Sequence, residues 1–340
     1  MNTRLLASLV LASGVATLAP LAAQVTTNSL AIGGAGAIGC QGSEDPPTLS
    51  EGVPASAQFD VTYDPATHRM TLTVTNTSDV VANQANPVLT RIFLNTPPGA
   101  LTGALLVSQT GSGGANPDFE LEFGAERAGC IGDFELSLET EHGVQGGVAN
   151  AAAPWIGGPP GAAAIGPVTF VIDLVGPGAG NVNARALTYG YSENGARDPV
   201  HAAAKFQAGG ATATASGWIT SATRVADCAT SMWLLGEPRV GTTVTFCRNG
   251  QRACHDCMWV SLFPGPTSVG GITAPIGFPL LAVLSGSYFT ELPLCFPMQI
   301  PDDPNLSGVP VYFLIATMDD NGPTGIPTFS FGDVFTVRLL

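Results

Sequence analysis

Alternation of apolar and polar side chains runs through most of this chain. Phe59, Val61 and Tyr63 share one side of an extended run, Asp64-Pro-Ala-Thr67 follows as a turn, and Met70, Leu72 and Val74 then alternate with Thr71, Thr73 and Thr75. A period of two places such residues on opposite faces of a strand, Pro65 presets φ for the turn, and threonine suits a pleated outer face. The segment predicts a β-hairpin. Comparable runs at Val88–Leu94, Val168–Val175, Thr242–Cys247, Met258–Phe263, Val309–Met318 and Val334–Leu340 predict further strands. Beyond the first residues no window carries apolar positions at i, i+3, i+4 and i+7 between caps, so helices are not expected. Many short strands without intervening helices predict an all-β protein of two antiparallel β-sandwich domains.

The first residues follow a different pattern. Met1-Asn-Thr-Arg4 is a positive start, Leu5 to Leu18 is almost wholly apolar, and Leu21-Ala-Ala23 offers a small-residue cleavage site. This reads as a signal peptide, residues 1–23, whose apolar stretch is short of the about 20 residues that span a bilayer. An exported protein is expected, extracellular, at the cell surface or in the periplasm, with no transmembrane anchor.

Of the 340 residues, 12 are Lys or Arg and 26 Asp or Glu, a net charge of −14, and Lys205 is the one lysine. Nucleic acid is therefore not an expected partner, because it is held by clustered cations. Charged residues make up 11%, far below the usual share of about 25%. Solubility must then rest on Thr, Ser, Asn, Gln and the backbone. Length predicts two domains. A boundary near Ser221–Asp227 separates a first domain, 24–226, holding Cys40 and Cys130, from a second, 227–340, holding Cys228, Cys247, Cys254, Cys257 and Cys295.

Two resemblances follow from particular motifs. Pro238-Arg-Val-Gly-Thr-Thr243 together with Ile300-Pro-Asp-Asp-Pro-Asn-Leu-Ser-Gly308 and the strand up to Met318 resembles the C-terminal β-sandwich module of secreted planctomycete-type bacterial proteins, over roughly 227–340. That module brings no known activity, and the Cys247–Cys257 stretch departs from its pattern. Phe59-Asp-Val-Thr-Tyr-Asp-Pro-Ala-Thr67 and Leu72-Thr-Val-Thr-Asn-Thr77, with Ala204-Lys-Phe-Gln207 and Ser216-Gly-Trp218, loosely resemble bacterial exported surface proteins of the sorting-domain type. The sorting segment itself is not found.

In an exported chain the cysteines are expected to form disulfides that brace Gly-rich loops, with Cys40 and Cys130 the natural pair of the first domain. Pairing among the other five is open. Cys254-His-Asp-Cys257 also has the spacing of a redox dithiol or half a zinc site, although the strand expected after it is not the helix that lowers a redox thiol's pKa.

Eight carboxylates crowd Asp118–Glu141. If Asp118–Phe123 and Asp133–Leu138 are strands, Asp118, Glu120 and Glu122 share one face opposite Phe119, Leu121 and Phe123, and Glu135 and Glu139 oppose Phe134, Leu136 and Leu138. Pairing the strands would set like charges against one another at a cost. A calcium ion held by Asp118, Glu120, Glu122, Glu135 and Glu139 would relieve it; a solvated face is the alternative. A carboxylate pair acting on polysaccharide would make the protein a hydrolase. Trp155 and Tyr191 are candidates for stacking on a sugar. No nucleophile elbow or zinc-protease motif occurs, and His201, near Tyr189, Tyr191 and Trp218, is the histidine singled out for its surroundings. The expectation is a non-catalytic extracellular protein, structural, adhesive or ligand-binding, whose partner is an extracellular polymer, cell-surface glycan or protein. The rival reading is a secreted polysaccharide hydrolase or carbohydrate-binding module using the acidic face.

Overall fold

The computed structural model describes residues 25–34, 37–40, 47–114, 116–150, 164–188, 190, 192, 194–195, 200–222, 231–249, 254–269, 272–277, 281–287, 294–319, 328–331 and 335–340. Its regular elements are strands, with single-turn 3-10 segments between some of them. The fold is all-β. The leader, Trp155, Tyr191 and Cys228 lie outside the described residues.

The first unit is a sandwich of two layers. One layer runs β1 (Thr26–Ile32), β3 (Ala57–Asp64), β4 (Arg69–Asn76), β10 (Ala164–Val175) and β6 (Gly103–Gly114). The other runs β2 (Ala37–Gly39), β12 (Ala215–Ala222), β11 (Ala202–Gly209), β5 (Val88–Leu94), β8 (Gly132–Thr140) and β7 (Phe119–Ala128). The short β9 (Val148–Ala149) bridges β10 to β5. Phe59, Val61, Leu72, Val74, Phe170 and Ile172 of the first layer meet Leu89, Ile92, Leu136, Leu138, Phe206 and Ile219 of the second in one core. In β3, β4, β8 and β10 the apolar residues recur at every second position, which turns one face of each strand inward, whereas Leu89 and Ile92 of β5 stand three apart across a register shift.

The β3–β4 hairpin has the register its sequence predicts, Tyr63 opposite Met70 and Asp64 opposite Arg69. Asp64 fixes the turn by accepting from the Ala66 amide at 3.0 Å and the Thr67 hydroxyl at 2.8 Å. Both corners of the sandwich are closed by the chain crossing between layers. After β1 the Gly33 amide donates to the Thr220 carbonyl at 2.8 Å, and the chain continues into β2 beside β12. Gly33 has φ +87°, and a Cβ there would stand 2.9 Å from the Ala55 carbonyl oxygen, so only glycine makes this crossing unstrained. At the far corner β6 passes to β7, and the Gln109 carboxamide acts as a surrogate peptide group, donating to the Phe119 carbonyl at 3.0 Å and accepting from the Phe119 amide at 2.8 Å.

The second unit packs a three-stranded sheet, β13 (Ser231–Leu235), β14 (Thr243–Asn249) and β19 (Leu294–Gln299), against β18 (Leu281–Ser287), β15 (Cys254–Ser261), β20 (Pro310–Asp319) and β21 (Thr328–Phe331), with β22 (Phe335–Arg338) also on β20. β16 (Pro264–Val269) and β17 (Ile272–Ile276) form a separate hairpin. Met232, Leu234, Val244 and Phe246 meet Val311, Phe313 and Val337 in its core. Phe246 centres the aromatic contacts, 5.0 Å from Phe313 and 5.6 Å from Phe296.

Sheet membership changes between β12 and β13, but the core does not divide there. Trp233 and Cys247, on the other face of the three-stranded sheet, belong to the core of the first unit. Trp233 is wholly buried, Leu235 beside it packs on the same core, and the Asn181 amide donates to the Gly236 carbonyl.

Candidate functional site

β7 and β8 pair with Glu120 opposite Glu139 and Glu122 opposite Ser137. Their inner face delivers Phe119, Leu121, Phe123, Leu136 and Leu138 to the core. The outer face holds the carboxylates. β8 then sets Glu139 opposite Arg91 of β5, β5 sets Arg91 opposite Lys205 of β11, and β11 sets Lys205 opposite Trp218 of β12. Register therefore aligns Glu120, Glu139, Arg91, Lys205 and Trp218 in one row across five strands.

The opposed pair Glu120 and Glu139 carries the like-charge cost expected from the sequence, up to about 1 kcal/mol. The counter-charge that meets it is Arg91, whose guanidinium is ion-paired with Glu139. Both side chains are about a third or more exposed, so solvent holds the pair to less than about 1 kcal/mol. Lys205 Nζ stands 5.5 Å from the centroid of the Trp218 ring. Partial burial, and then the like charge of Arg91, lower the Lys205 pKa, with Glu139 opposing. The indole face offers the ammonium about 0.5–1 kcal/mol.

Beyond Phe123 the register shifts by a β-bulge, with Gly124 at φ +150°. Glu126 lies beyond the bulge, and Glu122 acts on its carboxyl through charge and hydrogen bonding. Burial, then the charge of Glu122 and that hydrogen bond, then Glu139, raise the Glu126 pKa, while Arg91 lowers it. The bulged hairpin curls onto its own layer. At its tip Gly129, with φ +53°, lies against Trp218 so closely that a Cβ would stand 2.7 Å from Nε1. The Cys40–Cys130 disulfide ties the tip to the end of β2. Trp218, Phe93, Phe134, Ala128 and Ile131 make a small core under the tip, with Phe93 5.2 Å from Trp218 and 5.6 Å from Phe134. The row thus runs from open carboxylates at Glu120 to a covered indole.

Of the five carboxylates named as a calcium set, Glu120, Glu122 and Glu139 come together and two are drawn elsewhere. Glu135 accepts from the Thr96 amide at 3.2 Å and from the Thr96 hydroxyl, pinning the chain after β5. Asp118 stands 2.8 Å from His142 Nδ1 and packs on Gly146. The Asp118 hydrogen bond, followed by the charge of Glu141, raises the His142 pKa. Among the described residues no group of three or more His, Cys, Asp or Glu is disposed to hold a metal ion.

Cys247 and Cys295 form a disulfide directly across β14 and β19. Cys254 and Cys257 open β15, a strand with β18 and β20 on either side, and their side chains lie outside the described residues. His201 is buried. Sequence reasoning did not anticipate Arg91. The signal was available: one cation inside the mostly apolar run Val88–Leu94, and another, Lys205, inside Ala202–Phe206, each at an outward position.

The raised pKa of Glu126 predicts a pH-dependent gain from its neutral mimic. A carboxyl whose folded-state pKa lies above its unfolded value contributes stability that is full below the ordinary carboxylate range and lost as pH rises through the folded value. At pH 7 the charged Glu126 beside Glu122 and Glu139 therefore works against the fold. Glu126→Gln is expected to raise Tm at pH 7 and to lose that advantage toward pH 4, measured by circular dichroism. An equal change at both pH values would sink this account.

Comparison with protein-family models, curated proteins and solved structures returns no match to this chain.

Proposed function

We propose that the protein is an exported, non-catalytic extracellular module that acts by binding or by building structure. The observation that carries the reading is the engagement of the acidic face by its own chain. Glu139 is paired with Arg91, Glu135 with Thr96, Asp118 with His142 and Glu126 with Glu122. A glycosidase needs two carboxyl groups about 5–10 Å apart with sugar or water between them. Here Glu139, Glu135 and Asp118 are each held by a group of their own chain, and Glu122 acts on the carboxyl of Glu126. Their role is structural.

Export is supported by the leader-like residues 1–23 and by two disulfides, bonds that persist in oxidising compartments. No helix among the described residues is long and apolar enough to cross a membrane. The partner class is an extracellular polymer, a cell-surface glycan or a protein, with calcium a further ligand to be tested.

The test is a thermal-shift series on the chain from Gln24 under non-reducing conditions, with calcium, chelator and a panel of polysaccharide fragments, beside assays for reducing-sugar release. A ligand of the native state must raise Tm by mass action. We expect no sugar release from any polysaccharide. Release that disappears in both Glu120→Gln and Glu139→Gln would replace this reading with the hydrolase.

A further inference from the structure

We infer that the open end of the β7–β8 hairpin is a proton-operated clasp, in which a charged His142 ring holds the loop that leads from β8 into β9. Two like-charged pairs stand there in succession. Glu120 lies opposite Glu139, and one repeat further out the Glu141 amide donates to the Asp118 carbonyl at 3.1 Å, which sets Asp118 opposite Glu141 on the same face. Carboxylates opposed in this way repel unless a cation meets them. The inner pair has Arg91, a guanidinium that stays charged throughout the range in which histidine titrates. The outer pair has His142, whose Nδ1 stands 2.8 Å from Asp118 Oδ2 and 3.9 Å from Glu141 Oε2.

The loop closes on itself through local bonds. The Thr140 hydroxyl donates to the Gly143 carbonyl, the Gln145 amide to the His142 carbonyl at 3.3 Å and the Gly147 amide to the Val144 carbonyl at 3.4 Å. Asp118 is lodged on it from outside, since Gly146 has φ +80° and a Cβ there would overlap the Asp118 carboxylate. His142 grips that same carboxylate, so the ring ties the loop to the chain entering β7. Beyond Gly147 the chain becomes β9, which bridges the two layers between β10 and β5. A loosened loop therefore loosens the corner that joins them.

The charged groups that face the ring are Asp118, ahead of β7, and Glu141, at the end of β8. β5 and β11 flank the loop with the uncharged Val88, Thr90 and Gln207. Of the two cations, only the imidazolium discharges near neutrality. Its folded-state pKa is raised, by the Asp118 hydrogen bond first and then by the charge of Glu141. Its contribution is therefore full below the ordinary histidine range and is lost as pH rises through the folded value. Beyond that point Asp118 and Glu141 face each other without a counter-charge, while Glu120 and Glu139 keep Arg91. The clasp is closed on the acidic side and released on the alkaline side.

Hydrogen exchange of the chain from Gln24, with chelator present so that no metal cation stands in for the ring, reads the clasp at the Glu141, Gln145 and Gly147 amides. In the wild type their protection factors are expected to fall about two- to fivefold from about pH 5.5 to about pH 8.5, the range that an exposed ion pair on a titrating histidine allows. Leu72 and Val74, in the middle of β4, should keep theirs. His142→Gln is expected to show the lower protection at both pH values, and His142→Arg, charged throughout, the higher one at both. Equal protection at both pH values in the wild type overturns the proposal. So does a fall that persists in His142→Gln or His142→Arg, or a fall of the same size at Leu72 and Val74.

Discussion

Replacing Trp233 with alanine is expected to cost about 3–5 kcal/mol and to split a single unfolding transition into two. The magnitude is that of large-to-small aromatic truncations in cores that only partly collapse. Trp233 is wholly buried, and although β13 belongs to the second unit, its indole completes the core of the first. Removing it opens a cavity at the junction and takes away the largest shared side chain. Urea unfolding followed by circular dichroism checks the expectation. Trp233→Phe should cost less than half as much, because the ring volume is largely kept and a buried Nε1–H that has no hydrogen-bond partner among the described residues is removed. A loss under 1 kcal/mol with one unchanged transition in Trp233→Ala would show that the two units are not held together through this residue.

The second large effect is expected at the hairpin tether. Cys40 and Cys130 are 90 positions apart, and in the chain-entropy model closing a loop of that size contributes about 4–5 kcal/mol by restricting the unfolded chain. The double variant Cys40→Ser, Cys130→Ser should lose most of that. It should also show a local effect that an unfolded-state argument alone does not predict. Cys130 lies next to Gly129, which covers Trp218, so releasing the tip should uncover the indole and raise acrylamide quenching of tryptophan fluorescence in the still-folded protein. Lower stability with unchanged quenching would mean that Phe93, Phe134 and Ile131 hold the tip without the disulfide.

The strand pattern was legible because a period of two is local information. Phe59-Val61-Tyr63 and Met70-Leu72-Val74 announced the β3–β4 hairpin, and Val88–Leu94 has the limits of β5. Glu120 and Glu122 also took the face opposite Phe119 and Leu121, as their alternation required. Which strand lies beside which is not local. Arg91 meets Glu139 only because β5 pairs with β8 in a register set by Leu94 opposite Leu136, and nothing near Arg91 in the chain states that partner. The bulge at Gly124–Ala125 is a register shift that alternation of side chains does not announce. Trp233 shows the same limit on a larger scale. Its neighbours Met232 and Leu234 pack into the second unit, and only the three-dimensional arrangement reveals that the residue between them faces the first.

That arrangement bears on how the molecule is made. Residues emerge from the ribosome in order, so all strands of the first sandwich are available before β13 is. Until then the sandwich has an unfilled apolar hollow where the indole of Trp233 will sit. A nascent or truncated chain ending near residue 226 would present that hollow to solvent, a surface of the kind that holding chaperones and proteases recognise. The last third of the sequence is thus a stopper for the rest, and neither part is a freely interchangeable cassette.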